Sequence, residues 1–305
     1  MAETATPGTR CGFVALIGAP NAGKSTLLNA MVGAKVAIVT HKVQTTRTRI
    51  TGIAMQEDLG AQLVFIDTPG IFQPKRRLDR AMVNAAWKGS EDAEETVLLI
   101  DAKKGLNEEV EKIIEALKKA GRTVHLAINK IDTVKRDSLL ALAQELSETG
   151  VFDEIFMISA INGDGVADLK KFLAKRAPVG PWMYPEDQVA DVTMRILAAE
   201  VTREKVFLRL HDELPYATTV ETEKWEERKD GSVRIEQVIH VQRETQKGIV
   251  IGKGGTMLKT LGQMAREELE EMFGRKVHLF LHVRVTERWA EDRTMYQDMG
   301  LDFVE

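Results

Sequence analysis

Cysteine is nearly absent: Cys11 is the only one in 305 residues. It can close no internal disulfide and supplies no cysteine-based metal site, which fits a reducing cytoplasm. Long apolar runs are also missing. Stretches such as 13–17 (FVALI) and 97–100 (VLLI) fall far short of the roughly 20 residues of a membrane span. Residues 1–10 lack a basic segment followed by an apolar one, so no secretion signal is expected and the stretch reads as a flexible tail. Nor is there an excess of positive charge: 42 Lys and Arg face 46 Asp and Glu, a formal balance of −4. Residues 1–180 carry 24 basic and 22 acidic side chains, residues 181–305 carry 18 and 24, so the second part is the acidic one. Bulk charge therefore cannot argue for nucleic-acid binding, which needs a motif and a local patch. No internal repeat or low-complexity tract is found. What remains is ordinary for a folded chain, 44% hydrophobic and 29% charged, with length enough for two domains and a sizeable core.

From residue 11 to about 177 the chain alternates apolar runs with helical patterns. The runs are 13–17, 63–66, 97–100, 124–128 and 155–158; helix-like stretches cover 24–33, 107–120, 138–150 and 166–176. Short continuous apolar strands between amphipathic helices predict an α/β domain, a mostly parallel sheet with helices on both faces. Residues 49–56 alternate weakly and read as an antiparallel edge strand. Residues 177–188 (APVGPWMYPEDQ) contain three prolines, which disfavour helix and mark a linker over 178–188. Beyond it an α+β domain spans 189–305: a helix over 189–201, then strands at 206–210, 217–227 and 233–244, the last two separated by the turn Lys229-Asp230-Gly231. A helix over 256–273 places Leu258, Leu261, Ala265, Leu269 and Met272 on one face. A strand with Val277, Leu279, Leu281, Val283 and Val285 inward follows.

Four motifs fall at the ends of the predicted parallel strands. Gly18-Ala19-Pro20-Asn21-Ala22-Gly23-Lys24-Ser25 matches the phosphate-binding pattern G-x-x-x-x-G-K-[ST] between a strand and a helix. Its glycines let backbone N–H groups turn inward around phosphate oxygens, and the helix N-terminus adds its dipole. Lys24 would reach the β- and γ-phosphates and Ser25 would bind Mg²⁺. In Asp67-Thr68-Pro69-Gly70 the carboxylate faces the ligand crevice and can hold Mg²⁺ through water, while the Gly70 amide can approach the γ-phosphate. In Asn129-Lys130-Ile131-Asp132 the discriminating group is Asp132, because a carboxylate can accept from guanine N1–H and N2–H₂ together and adenine offers no such pair. Asn129 can contact the other edge of the base, the Lys130 stem can cover its face, and after Ser159 the Ala160 amide can donate to guanine O6. Together these point to a GTPase rather than an ATPase.

Two further features bear on mechanism. Gln44-Thr45-Thr46-Arg47 lies where GTPases place a mobile switch threonine, and Thr46 is favoured over Thr45 as the Mg²⁺ ligand. Ile71 occupies the position where many GTPases carry a glutamine that orients the attacking water. An isoleucine does no hydrogen-bonding or acid–base work, so slow intrinsic turnover is expected, with Lys24, Thr46, Gly70 and Asn21 as the catalytic set. Asn21 either helps bind a monovalent cation such as K⁺ beside the phosphates or stabilises the loop.

In the second domain, Val250-Ile251-Gly252-Lys253-Gly254-Gly255-Thr256 joins a strand or turn to the long helix. It contains G-x-x-G, the loop with which KH modules clamp single-stranded RNA. Lys247, Lys253 and Lys259 make this stretch basic within an acidic domain, and Ile249 and Ile251 would form an apolar floor for bases. Other groups read as structural: His278 and His282 lie about 13 Å apart on one strand face, too far to share a metal. Lys75-Arg76-Arg77 reads as a solvated loop that could alternatively contact RNA. Trp289 and Tyr296 read as packing residues on one helix.

GAPNAGKS, QTTR, DTPG, NKID and ISA, then the linker, then VIGKGG before a helix, closely resemble the Era family of bacterial GTPases over nearly the whole chain. The resemblance implies a P-loop GTPase domain followed by a type II KH domain with a C-terminal helix. It also implies a monomeric, Mg²⁺-dependent GTPase of 30S ribosomal subunit assembly. Such a protein would bind 16S ribosomal RNA near its 3′ end and be cytoplasmic, partly peripheral on the inner membrane. The hydrophobic Ile71 also fits the family. A GTPase of tRNA modification resembles the first domain but carries a C-terminal cysteine motif that this chain lacks. A membrane-associated or cell-cycle GTPase whose second domain binds protein is the alternative.

Overall fold

The structure is a computed structural model that describes residues 8–42, 45–47 and 50–304. Gln44 of the switch segment, Arg49 of the predicted edge strand and residues 1–7 of the predicted tail lie outside the described residues. Contacts divide the described residues into two compact units. One comprises the chain up to Ala37, Thr46–Asp191 and Gln297 onward; the other comprises Ile38–Thr45 and Val192–Tyr296.

The first unit is built on a six-stranded sheet, order β2-β3-β1-β4-β5-β6, with β1 Arg10–Gly18, β2 Ile50–Gln56, β3 Ala61–Asp67, β4 Glu95–Asp101, β5 Val124–Asn129 and β6 Phe152–Ile158. All pairings are parallel except that of β2 with β3, as the weak alternation of residues 49–56 predicts. The continuous apolar runs bury both strand faces, as a doubly covered parallel sheet requires. Val14 and Leu16 join a core with Leu27, Leu28, Leu169 and Leu173 on one side. Ala15 and Ile17 join a second core with Ile113, Leu117, Leu142 and Leu146 on the other. The helices are α1 Lys24–Val32, α2 Arg77–Glu91, α3 Glu108–Lys119, α4 Arg136–Ser147 and α5 Val166–Arg176. Helix α3 starts cleanly because the Asn107 side chain accepts from the Val110 N–H (3.1 Å), and its acidic first turn and basic last turn complement the helix dipole.

Helix α2 was not expected. Arg77, read as part of a solvated loop, instead opens this helix, because Asp79 Oδ2 accepts the N–H groups of Lys75 and Arg76, both at 3.0 Å, and caps its start. The three-proline linker is docked rather than loose. Gln62, fully buried in β3, accepts from the Met183 and Tyr184 N–H groups (2.9 and 3.0 Å) and donates to the Tyr184 carbonyl (2.8 Å). Ile53 of β2 donates to the Val189 carbonyl, and the Asp191 N–H to that of Thr51. At the C-terminus, Arg77 lies over the Phe303 ring and Lys88 pairs with Asp302, so these last residues belong with the first unit.

The second unit contains α6 Met194–Arg209, β7 Thr219–Glu227, β8 Val233–Val241, α7 Glu244–Ile251, α8 Thr256–Phe273, β9 Val277–Val285 and, up to Tyr296, the start of a short helix α9, Arg293–Asp298. Its sheet runs β7-β8-β9, antiparallel then parallel. Residues 206–210 are not a strand: they finish α6 and lead out of it, where Val206 and Leu210 bury against Ile239 and Val241. A short apolar run does not distinguish a buried helical turn from a strand. Residues 242–244 likewise lie beyond β8, because Gln246 Oε1 accepts the N–H groups of Gln242 and Arg243 and starts α7. Trp289 and Tyr296 are both buried (1% exposed), as packing residues. They do not share one helix, since Asp292 separates a single turn, Trp289–Glu291, from α9.

Candidate nucleotide site and RNA-binding loop

Parallel pairing sets Gly18, Asp67, Asp101, Asn129 and Ile158 at strand ends, so the loops that follow converge along one edge of the sheet, as expected for a ligand crevice. Gly23 sits at φ +101°, and a Cβ there would lie 2.1 Å from Asn129 Nδ2; only glycine fits. Lys24 is buried, with Nζ donating to the carbonyls of Gly18 and Ala19 (3.1 and 3.2 Å). Burial lowers its pKa to about 8, against the opposing pull of Asp67.

Asp67 is fully buried. Burial raises its pKa, offset in part by Lys24, Ser25 and Thr46. Its Oδ2 accepts from Ser25 Oγ (2.7 Å) and Thr46 Oγ1 (3.2 Å), and the two hydroxyls lie 2.8 Å apart. Its Oδ1 has no partner. A buried carboxylate with one unused oxygen beside two hydroxyls is an all-oxygen donor set suited to Mg²⁺. Of the two threonines, Thr46 is brought to this cluster; the Thr45 hydroxyl bonds Thr40 and the Lys42 carbonyl instead. Ile71 is buried in the core with Ile17 and Leu98, while its N–H donates to the Gly18 carbonyl (3.0 Å). That bond fixes Gly70 against Pro20, where a Cβ would come within 2.9 Å.

At the base end, Asp132 is exposed and its Oδ1 accepts from Ser159 Oγ (2.6 Å), an orienting bond that the sequence reading did not include. Asn129 is a brace here: Nδ2 donates to the Ala22 carbonyl (2.9 Å) and Oδ1 accepts the Ala160 N–H (3.0 Å). Both groups expected to meet the base edge are thus joined to each other. Lys130 Nζ donates to the Asn21 carbonyl and to Asp101, each at 2.7 Å. Asp101 was missed, although it ends an apolar strand just as Asp67 does.

In the second unit, Gly252, Gly254 and Gly255 all have positive φ (76°, 61° and 78°) and lead from α7 into the N-terminus of α8. Lys253 and Lys259 are exposed, and Lys247 and Ile251 half-buried. Ile249 is 55% exposed. Beside the loop lies a groove of about 490 Å³ whose lining includes Leu258, Lys259, Arg266 and Phe280. Phe280 is exposed in the sheet, with Arg234 over its ring at 4.9 Å. No motif marks this ring in the sequence; its one signal is an aromatic among the outward residues of an alternating strand.

A P-loop at the edge of a mostly parallel sheet, with a base loop beside it and a G-x-x-G loop between two helices in a second unit, defines a GTP-binding protein with a KH domain. A family model described as a 50S ribosome-binding GTPase matches residues 13–130, and a KH domain model matches residues 213–290. The GTPase Era of Caulobacter vibrioides is 60% identical over 98% of both chains, and that of Brucella suis 59% identical over 99% of this chain and 96% of its own. A crystal structure of Era in complex with MgGDPNP and nucleotides 1506–1542 of 16S ribosomal RNA superposes with a TM-score of 0.90. It is 36% identical and covers 96% of this chain and 99% of that one. The chain therefore belongs to the Era family, and it is a GTPase. Among the described residues no helix is long and apolar enough to cross a membrane.

Proposed function

We propose that this chain is a GTP-controlled switch that binds 16S ribosomal RNA near its 3′ end through its KH loop and so assists maturation of the 30S subunit. The carrying observation is the convergence of the Ser25 and Thr46 hydroxyls on Oδ2 of the buried Asp67, whose other oxygen, Oδ1, has no partner. A metal ion and γ-phosphate bound beside this cluster would add ligands to the Thr46 hydroxyl, and that would couple the segment it ends to the nucleotide state. Mg²⁺ held there would neutralise phosphate charge. Lys24 exchanges its loop carbonyls for the β- and γ-phosphates, and the Gly70 N–H meets the γ-phosphate. Asp132, oriented by Ser159, accepts from guanine N1–H and N2–H₂. Water adds to the γ-phosphorus as the bond to the β,γ-bridging oxygen breaks, giving GDP and phosphate. Ile71 offers that water nothing, so turnover is slow, and the Asn21 side chain would help hold a K⁺ ion beside the phosphates if one binds there. In the KH loop, Gly252–Gly255 admit the sugar-phosphate chain, with Lys247, Lys253 and Lys259 facing phosphates and Ile251 facing a base. Family resemblance supports a monomer, cytoplasmic and partly peripheral on the inner membrane.

Nucleotide-dependent RNA affinity tests the reading. A 3′-terminal 16S fragment should bind more tightly with a non-hydrolysable GTP analogue than with GDP, and the RNA should tighten analogue binding by the same factor. Equal RNA affinities in both nucleotide states would reduce the two domains to a mere tether. Absence of RNA binding in either state would point to a protein-docking role for the second domain.

A further inference from the structure

Asp101 ends β4 in register with Asn129 of β5, and its side chain is only 10% exposed. Both carboxylate oxygens are engaged: Oδ1 accepts the Lys103 N–H (2.9 Å) and Oδ2 accepts from Lys130 Nζ (2.7 Å). The same ammonium donates to the Asn21 carbonyl at 2.7 Å. Asn21 and Lys130 are two of the three non-glycine residues with positive φ among the described residues, at 63° and 65°. Such backbone persists only where its surroundings hold it. One ammonium thus ties together the loops that follow β1, β4 and β5.

We propose that Asp101 is a positioning residue for guanine-nucleotide binding, acting through Lys130. A lysine stem is flexible, and at 34% exposure its ammonium has water as an alternative partner. With two of its three N–H donors fixed, the stem is held as a ready floor for the purine, and the entropy of ordering it is not charged to binding. Through the Asn21 carbonyl the same ion pair keeps the phosphate loop in register with the base loop. Both Asp101 oxygens are occupied by N–H donors of Lys103 and Lys130, so its effect on the nucleotide is exerted through Lys130. The inference rests on the reading of residues 129–132 as the guanine loop.

The test is a double-mutant cycle on the full chain, read as the dissociation constant and off-rate of a fluorescent GDP. Asp101→Ala should weaken binding about tenfold, mainly through a faster off-rate, since a flexible stem and a loosened loop must be ordered afresh. Asp101→Asn, whose amide oxygen still accepts from Lys130, should lose less, about threefold. Added to Lys130→Ala, Asp101→Ala should cost nothing further, because the group it positions is gone. Multiplying losses in the double variant would assign Asp101 to general stability and overturn the proposal. Wild-type affinity in Asp101→Ala alongside a weakened Lys130→Ala would also overturn it, leaving the guanine loop intact. Wild-type affinity in Lys130→Ala would instead sink the guanine-loop reading and the brace with it. Should Asp101→Ala fail to fold, the cycle is run with Asp101→Asn, whose loss must likewise vanish on Lys130→Ala.

Discussion

Two glycine loops, each opening onto a helix N-terminus, organise the two units, and they are built differently. In the phosphate loop the glycines are walled in: a Cβ on Gly18 would meet the Leu99 carbonyl at 2.5 Å, and one on Gly23 would meet Asn129 at 2.1 Å. In the KH loop Gly252 is crowded, a Cβ there meeting Met257 at 2.8 Å, but Gly254 and Gly255 have nothing within 4 Å of a Cβ and need glycine only for their positive φ. In the proposed function the first loop would be a closed cradle for the terminal phosphates of one small molecule, and the second a more open clamp past which a polymer would run.

The largest effect should come from testing the enclosure. Gly23→Ala combines a strained φ with a clash, and GDP affinity measured by calorimetry should fall at least about a thousandfold, roughly 4 kcal/mol. Retained binding would show that the cradle yields. Next is the clamp. Lys253→Asp with Gly254→Asp sets two carboxylates where RNA phosphates should lie, and RNA affinity should fall about a hundredfold with a shallower salt dependence. GTP affinity and unstimulated turnover should not change. Full RNA binding by this folded variant would remove the loop from the RNA site.

The third prediction concerns a lysine that the cradle buries. In the nucleotide-free protein Lys24 has its pKa lowered to about 8, and bound phosphates favour its charged form. Above pH 8 nucleotide binding therefore takes up a proton, and GDP affinity should decline by up to about tenfold per pH unit. The stability term has the opposite sign. Because the unfolded chain holds this proton up to its ordinary value near 10.5, Lys24's contribution to nucleotide-free stability should rise from pH 8 to 10.5. Flat affinity from pH 7 to 9.5 would contradict the buried, partly discharged lysine. The smallest effect is Gly255→Ala: with no clash to relieve, it should lower thermal stability by only about 1 kcal/mol.

The same contrast explains what the sequence could reveal. The phosphate loop, the strand ends and the parallel sheet were legible because continuous apolar runs and local spacing encode them. Helix α2 was not, because its thin stripe of Leu78, Ala81 and Met82 follows a basic trio, and its cap depends on Asp79 reaching back to Lys75 and Arg76. Helix α7 was hidden by its short length and by the apolar strand just before it. The docking of the linker on Gln62 and the tie from Asp101 to Lys130 are bonds between residues far apart in sequence. No periodicity or local propensity records such a partner.

Ile71 carries a consequence for timing. Its side chain belongs to the hydrophobic core between sheet and helices, so its lack of chemistry is tied to the fold itself. Ile71→Gln would bury an amide among Ile17, Ala86 and Leu98, at a cost of about 1–3 kcal/mol, before that amide could serve any water. A fast clock is thus not one substitution away. In the proposed switch, the lifetime of the GTP state is protected by the same packing that holds the domain together, and a partner that shortens it must bring its own catalytic group or move the switch segment.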